Sequence, residues 1–268
     1  MKERPIINIH DHVIEQLLYL EDRYNIRILY AAEAGKRAGG YGSTRSAWDV
    51  RFIYARPLSW YLALGPHSDV INLMLPGKLD LNGWDLQNAL YLVAGSNPPL
   101  MKWLFSPIVY YEQPPLVRRL RELQARYHSP RASMYHYLHS ATRNFREYLQ
   151  EDEVGLKNYF PVLLPVLACR WIESIGTRPP VELTELMERK LPDTLSPLVD
   201  DLLARKQANE KLGSGPQIPE LHTFLESEIE RLGRVVQHID KVNVPGFGLL
   251  DELFLASLKS AWQQNITL

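Results

Sequence analysis

The chain has 268 residues, 46% apolar and 23% charged, with 30 basic and 31 acidic side chains for a net charge of −1. These values describe an ordinary globule of one large or two small domains, and they exclude a globally basic nucleic-acid or membrane binder, so any basic site must be a local patch. The single cysteine excludes an internal disulfide, and Cys169 lies in an apolar run that reads as a buried, inert thiol. No apolar run is long enough to cross a bilayer, and the opening MKERPIINIHDH has no apolar core of the kind secretory signals carry, so the expected location is cytoplasmic.

In chain order, Val13, Leu17, Leu20 and Tyr24 recur at helical spacing, predicting a helix over His12–Arg23 capped by Asp11. An apolar strand over Ile26–Ala32 runs into a turn containing Gly35, Gly39, Gly40 and Gly42, and a second strand, Trp48–Ala55, leaves it. Trp60–Leu64 reads as a short helix or turn before Gly65-Pro66. Strand-like runs follow at Val70–Leu75 and, very short, at Leu79–Leu81. A helix starting at Asn82 or Asp85 runs through Val93 to a stop at Gly95, and another opens at Pro98 and runs through Phe105. Beyond Pro114-Pro115 the pattern turns helical: Leu116–Tyr127, Arg131–Gln150, Leu156–Ile175 (with Pro165 inside), Val181–Leu191, Leu195–Asn209, Pro219–Val242 and Phe247–Gln264. Lys211–Pro219, with two glycines and two prolines, reads as an exposed loop or linker. The expected fold is α+β: a small mixed sheet flanked by helices over residues 1–113, then a helical bundle over 114–268.

The stretch Glu33–Arg56 carries the functional signal. A glycine-rich bend brings backbone N–H groups close to a phosphate, and a carboxylate on the next strand, Asp49, stands where a nucleotide's Mg²⁺ is held. This order resembles the polymerase-β nucleotidyltransferase superfamily, and its wording resembles the RlaP-like branch linked to bacterial RNA repair. Glu33, Gly35, Arg37, Gly40 and Ser43 fit that branch, as do the run Asp49 to Tyr54 and Arg56-Pro57. The match continues through Trp60-Tyr61-Leu62, Leu79 to Leu86, Ser96-Asn97-Pro98 and Trp103 to Tyr110. It extends into His136-Tyr137-Leu138, Lys157, Tyr159-Phe160, and Ala168 with Trp171. The resemblance implies a nucleotide bound at the turn, Mg²⁺ held by Asp49 and Asp80, and transfer of a nucleoside monophosphate from an NTP to an RNA end or another acceptor.

Departures from the family pattern weaken that expectation. Lys36 stands where the family has the serine of Gly-Ser, and Ala47 where it has the first Asp of Asp-x-Asp. Gly39 replaces a tryptophan and Leu164 an arginine. Positions i and i+2 of a strand share a face, so Ala47 removes the carboxylate that would grip the same ions as Asp49. Asp49 and Asp80 remain as candidates for residual metal contact, although a lone Asp near a strand end is ordinarily a turn or cap residue. Lys36 is either a phosphate contact or a solvated loop lysine, and Arg37 either a phosphate contact or an ion pair with Glu33. Arg51, on the face of Asp49, meets a triphosphate or, the favoured reading, pairs with Asp49 or Asp80.

In the helical half, His136, Tyr137, His139, Arg143 and Asn144 share one helix. His136 and Asn144 lie on one face and read as a cleft wall rather than a metal site, since no zinc signature accompanies them. Lys157, Tyr159 and Lys206, with Glu210, match the family's helical half; such residues hold nucleotide in an active relative or serve as interhelical contacts. Lys102 with Arg118, Arg119, Arg121 and Arg126 reads as a solvated face more than a nucleic-acid track. Trp84, Trp103 and Trp171 are assigned to packing. The leading expectation is a degenerate nucleotidyltransferase serving as a nucleotide- or RNA-binding or regulatory module in RNA repair, toxin–antitoxin or phage defence. An active Mg²⁺-dependent transferase and a purely structural subunit with a protein partner are the alternatives; nothing signals duplex DNA or a membrane.

Overall fold

The computed structural model describes residues 8–65 and 67–263. Pro66, Gln264 and the first seven residues, on which parts of the readings above fall, lie outside them.

Helix α1 (Ile9–Tyr24) starts earlier than the sequence reading placed it. Its cap is Asn8, whose side chain accepts from the His10 N–H (3.1 Å), while Asp11 sits inside the first turn. Strands β1 (Arg27–Glu33) and β2 (Trp48–Ala55) are joined by the glycine turn and the one-turn helix α2 (Gly35–Ala38). After α3 (Leu58–Tyr61) come β3 (Val70–Leu75) and β4 (Leu79–Asp85). β4 is longer than the expected three residues because it pairs along its whole length with both β2 and β3. Asp85 then caps α4 (Leu86–Ala94) by accepting from Gln87 N–H (2.8 Å), and Gly95 ends it. α5 (Pro98–Leu104) is capped by Asn97. β5 (Val109–Glu112), which the sequence reading did not assign, adds antiparallel to β1. The sheet order is β3-β4-β2-β1-β5, with β2 and β4 parallel and the other pairs antiparallel.

The helical part comprises α6 (Pro114–Tyr127), α7 (Pro130–Tyr148), α8 (Tyr159–Ile175), α9 (Leu183–Lys190), α10 (Ser196–Gln207), α11 (Pro219–His238) and α12 (Gly248–Trp262). A 3-10 turn at Leu156–Asn158 precedes α8. The expected loop at 211–219 instead contains a short strand, β7 (Ser214–Pro216), paired with β6 (Glu153–Gly155). Alternation along β2 divides the sheet: Val50, Phe52 and Tyr54 face the core under α1, while Ile53 faces the core shared with α4, α5, α6 and α12. A separate core runs from Met134 to Val236 and is built on α7, α8 and α11. Asp49 and Arg51 share the Ile53 face but lie near the leading end of β2, where α5 and α7 wall a cleft.

Candidate functional site

Glu33, at the end of β1, is fully buried. Its carboxylate accepts from the Asp49 N–H (3.0 Å) and the Tyr110 hydroxyl (2.7 Å), and burial raises its pKa. These bonds pin the start of β2 against β1, helped by Ala34 N–H donating to Asp49 O (2.7 Å). Gly35 follows with φ +58, and a Cβ there would collide with the Asp49 carboxylate. Glycine at this position therefore has a stated cause: the turn passes directly over the acid.

Asp49 and Asp80 are direct partners in the parallel β2–β4 ladder. Arg51, two residues on along β2, places one guanidinium nitrogen against Asp49 Oδ1 and 3.0 Å from Asp80 Oδ2. Burial pushes the Asp49 carboxyl up, and the Arg51 charge is the largest influence pulling it back. Ala47 precedes β2 and is exposed. Among the described residues, no group of three or more His, Cys, Asp or Glu comes together in a metal-binding arrangement.

Two cavities flank the turn. The cleft, about 320 Å³, is lined by Gly35, Asp49 and Arg51 on the sheet side and by Lys102, His136 and Asn144 on the helical side. His136 and Asn144 thus meet there as their shared helix face predicts. Lys102 was read as part of a basic run, but it points into this cleft, with its ammonium 5.4 Å from the Tyr137 ring centre. Burial lowers its pKa to about 8. The rest of that run is dispersed: Arg121 donates to Leu104 O (2.7 Å) and pairs with Glu112, and Arg119 pairs with Glu122. Trp103, packed on Trp84 with ring centres 3.8 Å apart, also reaches the cleft wall.

The second cavity, a trough of about 640 Å³, is lined by Lys36, Ser43 and Ala47 from the turn and by Lys157 and Lys206 from the helical half. The candidate nucleotide residues are therefore split: Gly35, Arg51 and His136 face the cleft, whereas Lys36, Ser43, Lys157 and Lys206 face the trough. Arg37 lines neither cavity. Its guanidinium stacks 3.7 Å from the Trp48 ring centre and donates to Ser46 O (2.7 Å) and Thr44 O (3.3 Å), so it holds the turn and forms no ion pair with Glu33. Tyr159 is buried, and its hydroxyl accepts from the Ile218 N–H (2.9 Å). A side chain on Gly39 would strike the Tyr41 ring, which stacks on Phe160. Cys169 is buried with its thiol pKa pushed up, as expected of an inert core residue. Sequence reasoning missed Lys102's place, because its neighbours in sequence are not its neighbours in space.

A glycine turn over a carboxylate, beside a parallel strand pair with an acid on each strand, defines a protein of the nucleotidyltransferase-like class. Residues 9–256 match the family described as "RNA repair pathway DNA polymerase beta family", RlaP, and the chain belongs to that family. A relative, "Uncharacterized protein YcgL" of Bacillus subtilis (strain 168), is 40% identical over 254 residues, covering 94% of this chain and 98% of that protein. A solved nucleotidyltransferase-like protein from Exiguobacterium sibiricum 255-15 is 14% identical with a TM-score of 0.33, over 84% of this chain and 74% of its own. No described helix is long and apolar enough to cross a membrane.

Proposed function

We propose that this chain is a nucleotidyltransferase-fold protein that binds a nucleotide or RNA end in the Asp49 cleft without transferring it, as a binding or regulatory module. The observation that carries this reading is the Arg51 guanidinium lying between Asp49 and Asp80. A pair of Mg²⁺ ions needs several ionised oxygens free of other cations. Here both surviving acids share one arginine, and both Glu33 oxygens accept from the protein. This donor set does not fit two Mg²⁺ ions.

An anion still has a cation to meet. Lys102 lines the opposite wall, and among the described residues it forms no ion pair. A phosphate held by Lys102 would keep it protonated, since an opposite charge favours the charged form. The family's description favours an RNA end or a nucleotide as ligand. Calorimetry with ATP, GTP, CTP and UTP, with and without Mg²⁺, tests the reading. The expected result is binding that survives EDTA and weakens at least tenfold in Lys102→Ala. Labelled NTP incubated with RNA acceptors is expected to remain unincorporated; incorporation that requires Mg²⁺ and vanishes in Asp49→Ala would establish the active transferase instead. Paired reversion, Ala47→Asp with Lys36→Ser, is expected to increase Mg²⁺ dependence.

A further inference from the structure

The trough differs from the cleft in charge. Its lining includes Lys36, Arg45, Lys78, Lys157, Lys206 and Lys211, with Glu210 the one acid among the residues that line it. Glu210 is already engaged: its Oε1 lies 2.7 Å from Arg205 Nη2. Among the described residues none of the six cations forms an ion pair. Three come from the turn and the β3–β4 hairpin, and three from the 3-10 turn, the end of α10 and the segment between α10 and β7.

These two sides are locked together. Asn209, at φ 64, accepts through its side-chain oxygen from Thr44 Oγ1 (2.9 Å) and Arg45 N–H (3.3 Å). Gln207 donates to Gly40 O (2.9 Å), and Gly39 O accepts from Leu183 N–H (2.9 Å). Like charges are thus held close with Glu210, itself paired to Arg205, as the one acid among the described lining residues, an arrangement that favours a bound polyanion. Lys206 shows the strain: burial, then Lys36 and Lys157, lower its pKa to about 8. Lys36 and Ala47 of the turn both line the trough, the first adding a charge and the second none.

We propose that the trough is a second site, separate from the cleft, that binds single-stranded nucleic acid through its phosphates, without a divalent metal and without reading bases. Six cations drawn from several chain segments exceed what one triphosphate neutralises, and they suit a strand carrying one charge per nucleotide. Among the described residues no aromatic side chain lines the trough, so bases have nothing to stack on there and the contacts go to the backbone.

The test is fluorescence anisotropy of labelled oligo(U) and oligo(A) RNA in EDTA across a salt series, alongside NTP calorimetry on the same variants. Both oligonucleotides are expected to bind with similar affinity. The log–log salt slope of Lys78→Ala/Lys211→Ala should be shallower by about 1.4, from about 0.7 per lost single-strand phosphate contact, with affinity at least tenfold weaker. Both side chains are exposed, so the double variant is expected to fold; circular dichroism checks this. NTP binding in the cleft is expected to be unchanged by it, while Lys102→Ala weakens NTP binding and leaves the salt slope alone. Strand binding without NTP binding would overturn the cleft reading and leave this one standing. No strand binding, a slope unaffected by the double variant, a requirement for Mg²⁺, a strong preference for one base, or inorganic polyphosphate bound in place of RNA would overturn the trough proposal.

Discussion

The two cavities beside the glycine turn solve opposite electrostatic problems. On the sheet wall of the cleft, two carboxylates that would repel one another are held together by a guanidinium from the same sheet. In the trough, six cations are held together by hydrogen bonds through Asn209 and Gln207, with one lining acid, Glu210, that is already paired to Arg205. A wall whose two acids share an internal cation needs no ligand to hold them together, whereas a like-charged one gains from any polyanion that arrives. The difference therefore suggests where ligand energy is available in this chain, and it can be attacked from either side.

The largest expected effect comes from removing the internal neutraliser. Arg51→Ala leaves Asp49 and Asp80 side by side, which costs about 2–3 kcal/mol; the range for a buried pair is reduced here because all three side chains are partly exposed. Urea denaturation measures it. Added Mg²⁺ is expected to raise the melting temperature of this variant and leave that of the parent unchanged. An equal Mg²⁺ response in both would mean that Arg51 is not what keeps the carboxylates from metal.

Next in size is Gly35→Ala. The new Cβ meets the Asp49 carboxylate and forces an L residue to φ +58, together about 1–3 kcal/mol. The damage is expected to be local: NTP affinity falls with stability, while strand binding in the trough is retained.

Much of this arrangement was legible in the sequence, and the reasons are physical. Strand-like runs marked β2 and β3 to the residue; the sequence leaves the start of α4 open between Asn82 and Asp85, of which Asp85 is the cap, and Gly95 and the Pro98 turn marked the end of α4 and the start of α5. The i, i+2 rule placed Arg51 beside Asp49, and the shared helix face placed His136 with Asn144. What escaped depends on contacts distant in sequence. β5 is a strand because β1 offers it an edge, and its own four residues carry too little pattern to say so. β6 and β7 are three residues each and exist only as a pair. The trough joins positions 36–47, 78, 157 and 206–211, and no local window contains such a set. Arg37 matches the family pattern, yet its guanidinium lies flat on Trp48; a resemblance preserves the residue without saying which way it points.

Titration separates the regions by sign, with smaller effects. For Glu33 and Asp49 the folded state holds its proton more tightly than the unfolded chain, so their contribution to stability falls as pH rises above the unfolded carboxylate range. For Lys206, lowered from 10.5 to about 8, the folded state binds the proton less tightly. Its penalty is fully present below pH 8 and is relieved as pH rises from 8 to 10.5. Lys206→Met, which keeps the stem packed on Phe160 and Tyr41, is expected to remove part of the alkaline gain, about 1 kcal/mol after solvent screening. Lys102, lowered by burial to about 8, contributes in the same sense. Unfolding curves across pH 7–10 for parent and variant measure the difference; parallel curves would show that folding does not depress the Lys206 ammonium, which burial first and its lysine neighbours second are expected to do.

The smallest effect is the most discriminating. Alanine at an exposed lysine ordinarily changes stability by no more than about 0.5 kcal/mol in either direction. For Lys78→Ala/Lys211→Ala the sign is fixed by the trough: removing two of six like charges should stabilise the free protein by a few tenths of a kcal/mol, on the order of an exposed pair interaction. The gain should shrink as salt rises, because screening already weakens the repulsion in the parent. Saturating oligo(U) should reverse the order, since the parent gains more from the ligand than the variant does. Melting temperatures of both proteins in low salt, high salt and oligonucleotide give the three comparisons. A variant less stable than the parent in low salt would mean that these lysines hold the fold together, and the contrast between a neutralised wall and a charged one would fail at its charged side.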